Sequence, residues 1–228
     1  MNTDVSILVL SCDAYEDIIG PFFILKERYW SDCPYKTYIS TETKEFSQAT
    51  TLTHNYTLNR WTRRIKESLM DIDSKYVILM DSDFYIRQPV DQKRIDYCIE
   101  SFDCDTATFS FELEYAPTYP SKKDGFRLKP NKSPYLCSCQ PSIWDREKLI
   151  SLLQKDMNPW QWERQIIDTP FKHYVNSGNV IIDIGYYLPN GKKHWYGVRK
   201  GKWVEDDVVE LFKKENIGID FSKRGFYK

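Results

Sequence analysis

The sequence carries two aspartates, Asp81 and Asp83, whose spacing suits a metal ion. In extended backbone, side chains at i and i+2 point to the same side of the chain. A divalent cation held by carboxylates can stabilise a departing diphosphate as a Lewis acid. Two further Asp-x-Asp copies occur, so spacing alone is weak evidence, but only this copy follows a buried apolar run, Tyr76–Met80. The alternative is a helix cap or a turn.

A second kind of chemistry is removal of a proton from an attacking hydroxyl, and Glu163 is the candidate base. It ends the cluster Trp160-Gln161-Trp162, whose indoles could line a sugar site and desolvate the acid. The alternative is a surface acid at a helix start. Trp144 is either a wall of the same acceptor site or a core residue. The other candidate bases are Glu112, Asp145 and Asp156.

A basic segment near the carboxyl terminus could neutralise a diphosphate. Arg199, Lys200 and Lys202 surround Gly201, and glycines allow close approach of the backbone to a ligand. Such a segment could close over a bound ligand, although an ordinary solvated loop is the alternative. His194 is an additional candidate metal ligand, but a single histidine is more often structural.

The elements that would position these residues follow from the apolar pattern. Continuous apolar runs predict strands at 5–10 and 76–80, and further strands are predicted at 35–40, 106–111 and 179–184. Helices are predicted at 16–29, 59–71, from Pro89 to about 100, at 146–154 and at 204–215. Residues 115–134 hold several prolines and predict a loop, 135–143 an extended segment, and 158–163 a Trp-rich turn. This order predicts one α/β domain with a mostly parallel central sheet flanked by helices.

Composition narrows the function classes. The chain has 228 residues, 29% of them charged, and a net charge of −1, which gives no electrostatic case for nucleic-acid binding. No CxxC pair occurs, so a structural zinc site is not expected. The first strand is followed by neither a G-x-G-x-x-G motif nor a Walker A motif, which disfavours dinucleotide redox chemistry and P-loop phosphoryl transfer. The amino-terminal residues lack a secretory signal or membrane span, so a cytoplasmic protein is expected, with contact to the inner membrane face left open.

The segment 76–91 (YVILMDSDFYIRQPVD) resembles the strand and aspartates of GT-A-fold glycosyltransferases. It is similar to a bacterial group that makes cell-surface polysaccharides, in which a helix with Trp and Arg precedes this strand. Further matches are QPSIW at 140–144, NPWQWE at 158–163 and YGVRKGKW at 196–203, so the likeness spans about 60–225. The resemblance implies a GT-A-like, Rossmann-like fold, a nucleotide-sugar donor and Mn²⁺ or Mg²⁺, with Asp83 the better-matched ligand and Asp81 its partner.

The resemblance also implies that the loop after the first strand holds the nucleobase and ribose. Ser11, Asp13 and Tyr15 are the matching residues, although Ser11 or Asp13 could equally be the cap of the next helix. Arg64 could reach the donor or could be solvated helix surface. Residues 1–110 would then form the nucleotide-sugar and metal half, and 111–228 the acceptor half with a closing segment.

The sequence therefore predicts a metal-dependent glycosyltransferase, with inversion favoured because a candidate base exists. Its acceptor would be a carbohydrate or a lipid-linked glycan in surface polysaccharide synthesis. A sugar nucleotidyltransferase is the first alternative, but it normally carries a Gly-rich basic loop after the first strand, which residues 11–15 lack. A carbohydrate-binding protein without catalysis is the second alternative.

Overall fold

A computed structural model describes residues 4–113, 117–185 and 197–228. Contacts divide the chain into two compact units. The first unit comprises Met1–Ala14, Cys33–Asp81 and Asp91–Ile181, and the second comprises Tyr15–Asp32, Ser82–Val90 and Ile182–Lys228. The expected single domain with halves meeting near residue 110 stays a prediction.

The first unit contains an eight-stranded sheet. Its strands are β1 (Val5–Leu10), β2 (Lys36–Thr41), β3 (Thr50–Thr53), β4 (Tyr76–Asp81), β5 (Thr106–Leu113), β6 (Phe126–Leu128), β7 (Ser142–Asp145) and β8 (Lys172–Asn176). The order is β3-β2-β1-β4-β7-β5-β8-β6. Six strands run in one direction, and only β6 and β7 are antiparallel to their neighbours. The predicted α/β class with a mostly parallel sheet is confirmed.

The described residues also form six α-helices and a short hairpin. The helices are α1 (Glu16–Tyr29), α2 (Trp61–Met70), α3 (Gln92–Glu100), α4 (Arg146–Leu152), α5 (Pro159–Arg164) and α6 (Glu205–Lys214), and the hairpin pairs β9 (Val198–Arg199) with β10 (Lys202–Trp203). Helices α2 to α5 belong to the first unit. The second unit holds α1, α6 and the hairpin. None of the helices that the structure describes is long and apolar enough to cross a bilayer.

One core of the first unit lies between the sheet and three helices. Alternate residues of β1 and β4 point to this face, among them Leu8 and Leu79. They pack with Trp61 and Leu69 of α2, and α4 and α5 complete the cover. The apolar residues of α2 recur at helical spacing, so one stripe of the helix is buried while Arg63 stays exposed. Fully burying each such side chain contributes about 1.5–3 kcal/mol.

The second unit has an aromatic interior of its own. Phe212 of α6 contacts the rings of Tyr85, Trp203 and Phe221 at centroid distances of 5.1, 5.9 and 6.2 Å. Gly197 lies against this cluster, because a Cβ atom built there would stand 2.3 Å from the ring of Tyr85. Only glycine therefore fits at this position with the ring where it is.

Several predicted elements differ from the observed ones. The strand predicted at 179–184 is wrong, since none of the described residues there forms a strand and the chain pairs through β8 instead. The predicted loop contains β6, and only the end of the predicted extended segment joins the sheet as β7. The predicted Trp-rich turn is helix α5, because Asn158 and Gln161 form a capping box and Pro159 fits the first helical position. The strands at 5–10 and 76–80 and the helix at 16–29 are confirmed.

Candidate functional site

The carboxyl ends of six strands meet at one edge of the sheet in the first unit, where ligands bind in open α/β sheets. The polar residues there are Ser11 after β1, Glu42 after β2, Asp81 ending β4 and Glu112 near the end of β5. The antiparallel strand β7 begins at this edge, since Leu79 pairs with Ser142. Residues just before β7 therefore lie near the end of β4.

A first group of charges, the first-strand cluster, consists of Asp13, Glu42, Thr43 and Arg64. The carboxylate of Asp13 accepts hydrogen bonds from the backbone N–H of Thr43 at 3.0 Å and from its hydroxyl at 2.6 Å. The backbone N–H of Asp13 donates to Glu42 Oε2 at 2.6 Å. Arg64 is buried, pairs with Glu42, and donates to the carbonyl oxygen of Ser11 at 2.6 Å. The loop after β1 is thus fixed by side chains from β2 and α2.

The charge of Asp13 is stabilised within this cluster. Partial burial alone would raise the pKa of its carboxyl, but hydrogen bonds from Thr43, Lys44 and Glu42 outweigh burial and lower the pKa to about 2. Asp13 caps no helix through its side chain, because that side chain is spent on the loop after β2. Arg64 is not solvated helix surface, which was the alternative considered from the sequence.

A second group of charges, the Glu163 cluster, consists of Glu112, Lys129, Tyr135, Cys139 and Glu163. Glu163 Oε1 accepts from the backbone N–H of Cys139 at 2.9 Å. The carbonyl oxygen of Glu163 accepts from the backbone N–H of Tyr135 at 2.8 Å. Lys129 Nζ lies 3.4 Å from Glu112 Oε1 and donates to the carbonyl oxygen of Tyr135 at 3.1 Å. These contacts join α5, β5 and the segment before β7.

The surroundings raise the pKa values of two groups in this cluster, the Glu163 carboxyl and the Cys139 thiol. Burial raises the pKa of Glu163, and the charge of Glu112 raises it further, against the lowering effects of the Cys139 N–H and Lys129. Burial also raises the pKa of the Cys139 thiol, and both Glu163 and Asp81 add to that shift. Asp81 and Glu163 therefore act on the same thiol, so the end of β4 and the candidate base lie in one electrostatic environment.

The three tryptophans expected at an acceptor site differ in exposure. Trp160 is 56% exposed, whereas Trp162 is 3% and Trp144 is 1% exposed. Trp144 donates through Nε1 to Ser142 Oγ at 2.8 Å and packs edge-on against His173. Trp144 and Trp162 are thus core residues that offer no open face on which a sugar could stack.

Two of the other acids weighed as bases have structural partners. Asp145 caps α4 by accepting from the backbone N–H of Lys148. Asp156 is exposed and pairs with Arg60 and Arg63 at 3.0 Å each. The third, Glu112, is buried beside Lys129 within the Glu163 cluster.

The remaining predicted donor and metal residues lie in the second unit. Asp83 has a pKa raised to about 7 by burial, against the lowering effects of its own N–H, the charge of Arg224 and the N–H of Val198. Its carbonyl oxygen accepts from the N–H of Gly197 at 2.9 Å.

Tyr15 lies under the guanidinium of Arg224, 5.0 Å from ring centroid to Cζ. Arg199 and Lys200 lie over the ring of Tyr227, and Lys202 is in β10. His194 is outside the described residues.

Carboxylate oxygens are ligands that Mg²⁺ and Mn²⁺ prefer, so the chemistry of Asp81 and of Asp83 fits such an ion. The raised pKa of Asp83 marks a carboxylate whose charge is poorly compensated, which a cation would correct. Within residues 4–113, 117–185 and 197–228, no three His, Cys, Asp or Glu side chains converge as a ready ligand set. Waters or phosphate oxygens would have to complete the coordination of a bound ion.

Sequence reasoning missed four residues that the structure places among the candidate ones: Glu42, Lys129, Tyr135 and Arg224. Glu42 follows a strand directly, so the rule that ligands bind at carboxyl ends of strands could have identified it. Lys129 lies in the predicted proline-rich loop and Tyr135 begins the predicted extended segment, and no local signal indicated their partners. Arg224 pairs with Asp17, 207 residues earlier, which no spacing argument could find.

Comparisons with known proteins give remote likenesses only. No family model matches the chain, and no curated protein does. Among solved structures, bifunctional IspDF from Campylobacter jejuni matches at 16% identity and a TM-score of 0.41, over 68% of this chain and 44% of that one. A cytidylyltransferase from Leptospira borgpetersenii matches at 13% and 0.43, over 70% and 68%. S. aureus TarS 1–349 matches at 10% and 0.47, over 76% and 60%. The chain thus spans less than half of the bifunctional protein.

Proposed function

We propose that this protein is a metal-dependent glycosyltransferase. It would move a sugar from a nucleotide-sugar to a carbohydrate or lipid-linked glycan acceptor in surface polysaccharide synthesis, with inversion. The observation that carries the proposal is the environment of Glu163. This carboxyl is partly buried, is oriented by the N–H of Cys139, and has a raised pKa beside the end of β4. A general base works best when its pKa is close to the operating pH.

In the proposed reaction, Glu163 accepts the proton of the acceptor hydroxyl as that oxygen attacks the anomeric carbon. The new glycosidic bond forms while the bond from the anomeric carbon to the donor diphosphate breaks, and the diphosphate leaves with both electrons. The hydrogen bond from the Cys139 N–H to Oε1 holds the carboxylate in one orientation for the attacking hydroxyl. The raised pKa of Glu163 makes proton uptake more favourable than it would be for an exposed glutamate.

The donor side of the proposal assigns roles by residue. Asp81 and Asp83 would bind Mn²⁺ or Mg²⁺, which when bound neutralises the diphosphate charge. Ser11, Asp13 and Arg64 would hold the nucleoside at the loop after β1, whose rigidity comes from the first-strand cluster. In the second unit, Tyr15, Arg199, Lys200 and Lys202 would contact the donor.

The test begins with a screen of nucleotide-sugars in the presence of Mn²⁺ or Mg²⁺, measuring release of nucleoside diphosphate. Once a donor and an acceptor are known, we expect Glu163→Gln to lower the transfer rate about 10²–10⁴-fold, the range for loss of a general base. Asp156→Asn is the matched control, because it makes the same acid-to-amide change at an exposed acid that pairs with two arginines. It should retain the wild-type rate.

Other outcomes would redirect the assignment. Release of pyrophosphate from a nucleoside triphosphate and a sugar phosphate would indicate a sugar nucleotidyltransferase. Transfer that survives in Glu163→Gln would remove Glu163 from the base role. Transfer that is indifferent to chelation of the metal would remove Asp81 and Asp83 from theirs.

A further inference from the structure

Tyr135 lies where the chain enters the interior of the first unit. Its side chain is 41% exposed, whereas the next four residues, Leu136 to Cys139, are all buried. Its φ angle is +58°, in the left-handed region that residues other than glycine rarely adopt. Such backbone persists only where surrounding contacts determine it, and it is found preferentially at functional sites.

Both peptide groups of Tyr135 are held by the Glu163 cluster. Its N–H donates to the carbonyl oxygen of Glu163 at 2.8 Å, and its carbonyl oxygen accepts from Lys129 Nζ at 3.1 Å. Lys129 is in turn held by the buried carboxylate of Glu112. The point from which the Tyr135 ring projects is therefore fixed relative to the candidate base.

A turn that needed only a left-handed residue would be filled at lower cost by glycine or asparagine. The chain instead has a tyrosine there and leaves its ring accessible to solvent. A second exposed ring, Trp160, lies three residues before Glu163 in α5, and residues at this spacing share a helix face. Two accessible aromatic rings are thus attached to the same structural support as Glu163.

We propose that Tyr135 is a specificity-determining residue whose ring stacks on the acceptor, a pyranose. The ring would hold the sugar so that one hydroxyl reaches Glu163. A sugar is favoured over a nucleobase, because the group bound beside a general base is the one that loses the proton. The stacking role rests on the proposed function for its link to catalysis, but contact with a sugar can be measured without turnover.

The test is saturation-transfer NMR with methyl glycosides of glucose, galactose, mannose and N-acetylglucosamine as probes. Wild type, Tyr135→Phe and Tyr135→Gly are compared, with Tyr119→Ala as a control for another exposed tyrosine. We expect at least one glycoside to bind wild type, Tyr135→Phe and Tyr119→Ala equally. Binding to Tyr135→Gly should be about tenfold weaker, which corresponds to loss of one aromatic stacking contact. Tyr135→Asn is the second variant, because asparagine tolerates left-handed backbone.

The proposal is overturned if no glycoside binds wild type, or if the glycine and asparagine variants bind as wild type does. It is also overturned if only nucleoside monophosphates respond to loss of the ring. Binding of a glycoside through Tyr135 without consumption of any nucleotide-sugar would contradict the transferase and leave the sugar contact standing. Transfer by Tyr135→Gly at an unchanged acceptor KM would contradict the sugar contact and leave the transferase standing.

Discussion

Two acidic clusters at the same edge of the sheet shift the pKa values of their carboxyl groups in opposite directions. In the first-strand cluster, hydrogen bonds from the loop after β2 lower the pKa of Asp13 to about 2. In the Glu163 cluster, burial and the nearby charge of Glu112 raise the pKa of Glu163. Asp13 is thus kept ionised as a fixed part of the scaffold, whereas ionisation of Glu163 is made less favourable. The difference follows from hydrogen-bond supply and solvent access rather than from the residue type.

The largest expected losses of stability come from replacing the cation of each cluster, Lys129 or Arg64. Lys129→Met leaves the carboxylate of Glu112, 1% exposed, without its ammonium, and should lower the free energy of unfolding by about 3 kcal/mol. Arg64→Met should cost about 2 kcal/mol, because the side chain of Glu42 is 24% exposed and can be rehydrated. Urea unfolding at pH 7 measures both. A larger loss in Arg64→Met would contradict the comparison.

The decrease in the free energy of unfolding at low pH should reflect the first-strand cluster. The folded pKa of Asp13, about 2, lies below the ordinary value of 3.8, so its contribution is present above pH 3.8 and is lost as pH falls through 2. Solvent screening limits this contribution to about 1 kcal/mol. Unfolding of wild type and Asp13→Asn between pH 5 and 2 would measure it. Parallel curves for the two proteins would show that the Asp13 carboxylate is not stabilised.

The smallest expected effect is a gain in stability, and it follows from replacing Glu163. Its raised folded pKa means that the ionised form costs stability at pH 7, and that this cost is relieved as pH falls through the folded pKa. Glu163→Gln keeps an acceptor for the Cys139 N–H and should raise the free energy of unfolding by about 0.5 kcal/mol at pH 7. The gain should shrink toward pH 4. Destabilisation at pH 7 would mean that Glu163 serves the fold rather than the reaction.

Two central parallel strands, β1 and β4, could be predicted because they are mainly apolar runs, whereas β3 reads Thr-Thr-Leu-Thr and was not predicted. Val5–Leu10 and Tyr76–Met80 are buried on both faces, and Ser6 is the one small polar residue among them. Strand β8 was missed for the converse reason. It reads Lys-His-Tyr-Val-Asn, yet His173 and Asn176 are buried inside it. The run around Ile181 and Ile182 is buried as well but does not join the sheet, since apolar residues specify burial and not strand pairing.

The candidate base could be identified from sequence, but its environment could not. Glu163 was singled out by the flanking tryptophans, and only one of these is exposed. What raises its pKa is burial together with Glu112, 51 residues earlier, and what orients it is the N–H of Cys139. Neither Glu112 nor Cys139 lies at a spacing from Glu163 that a motif or a helical period would predict. Within α5 itself the signal was present, because Asn158 and Gln161 have capping-box spacing.

The stretch between β6 and β7 has a consequence for how this fold could diversify. The chain leaves the sheet at the end of β6 and returns to it at Ser142, so both ends of the intervening stretch are anchored in the ladder. Entropy of loop closure grows only slowly with length. Insertions or replacements within this stretch would therefore change the surroundings of Tyr135 while the strands keep their register, and under the proposed function they would change the acceptor preference.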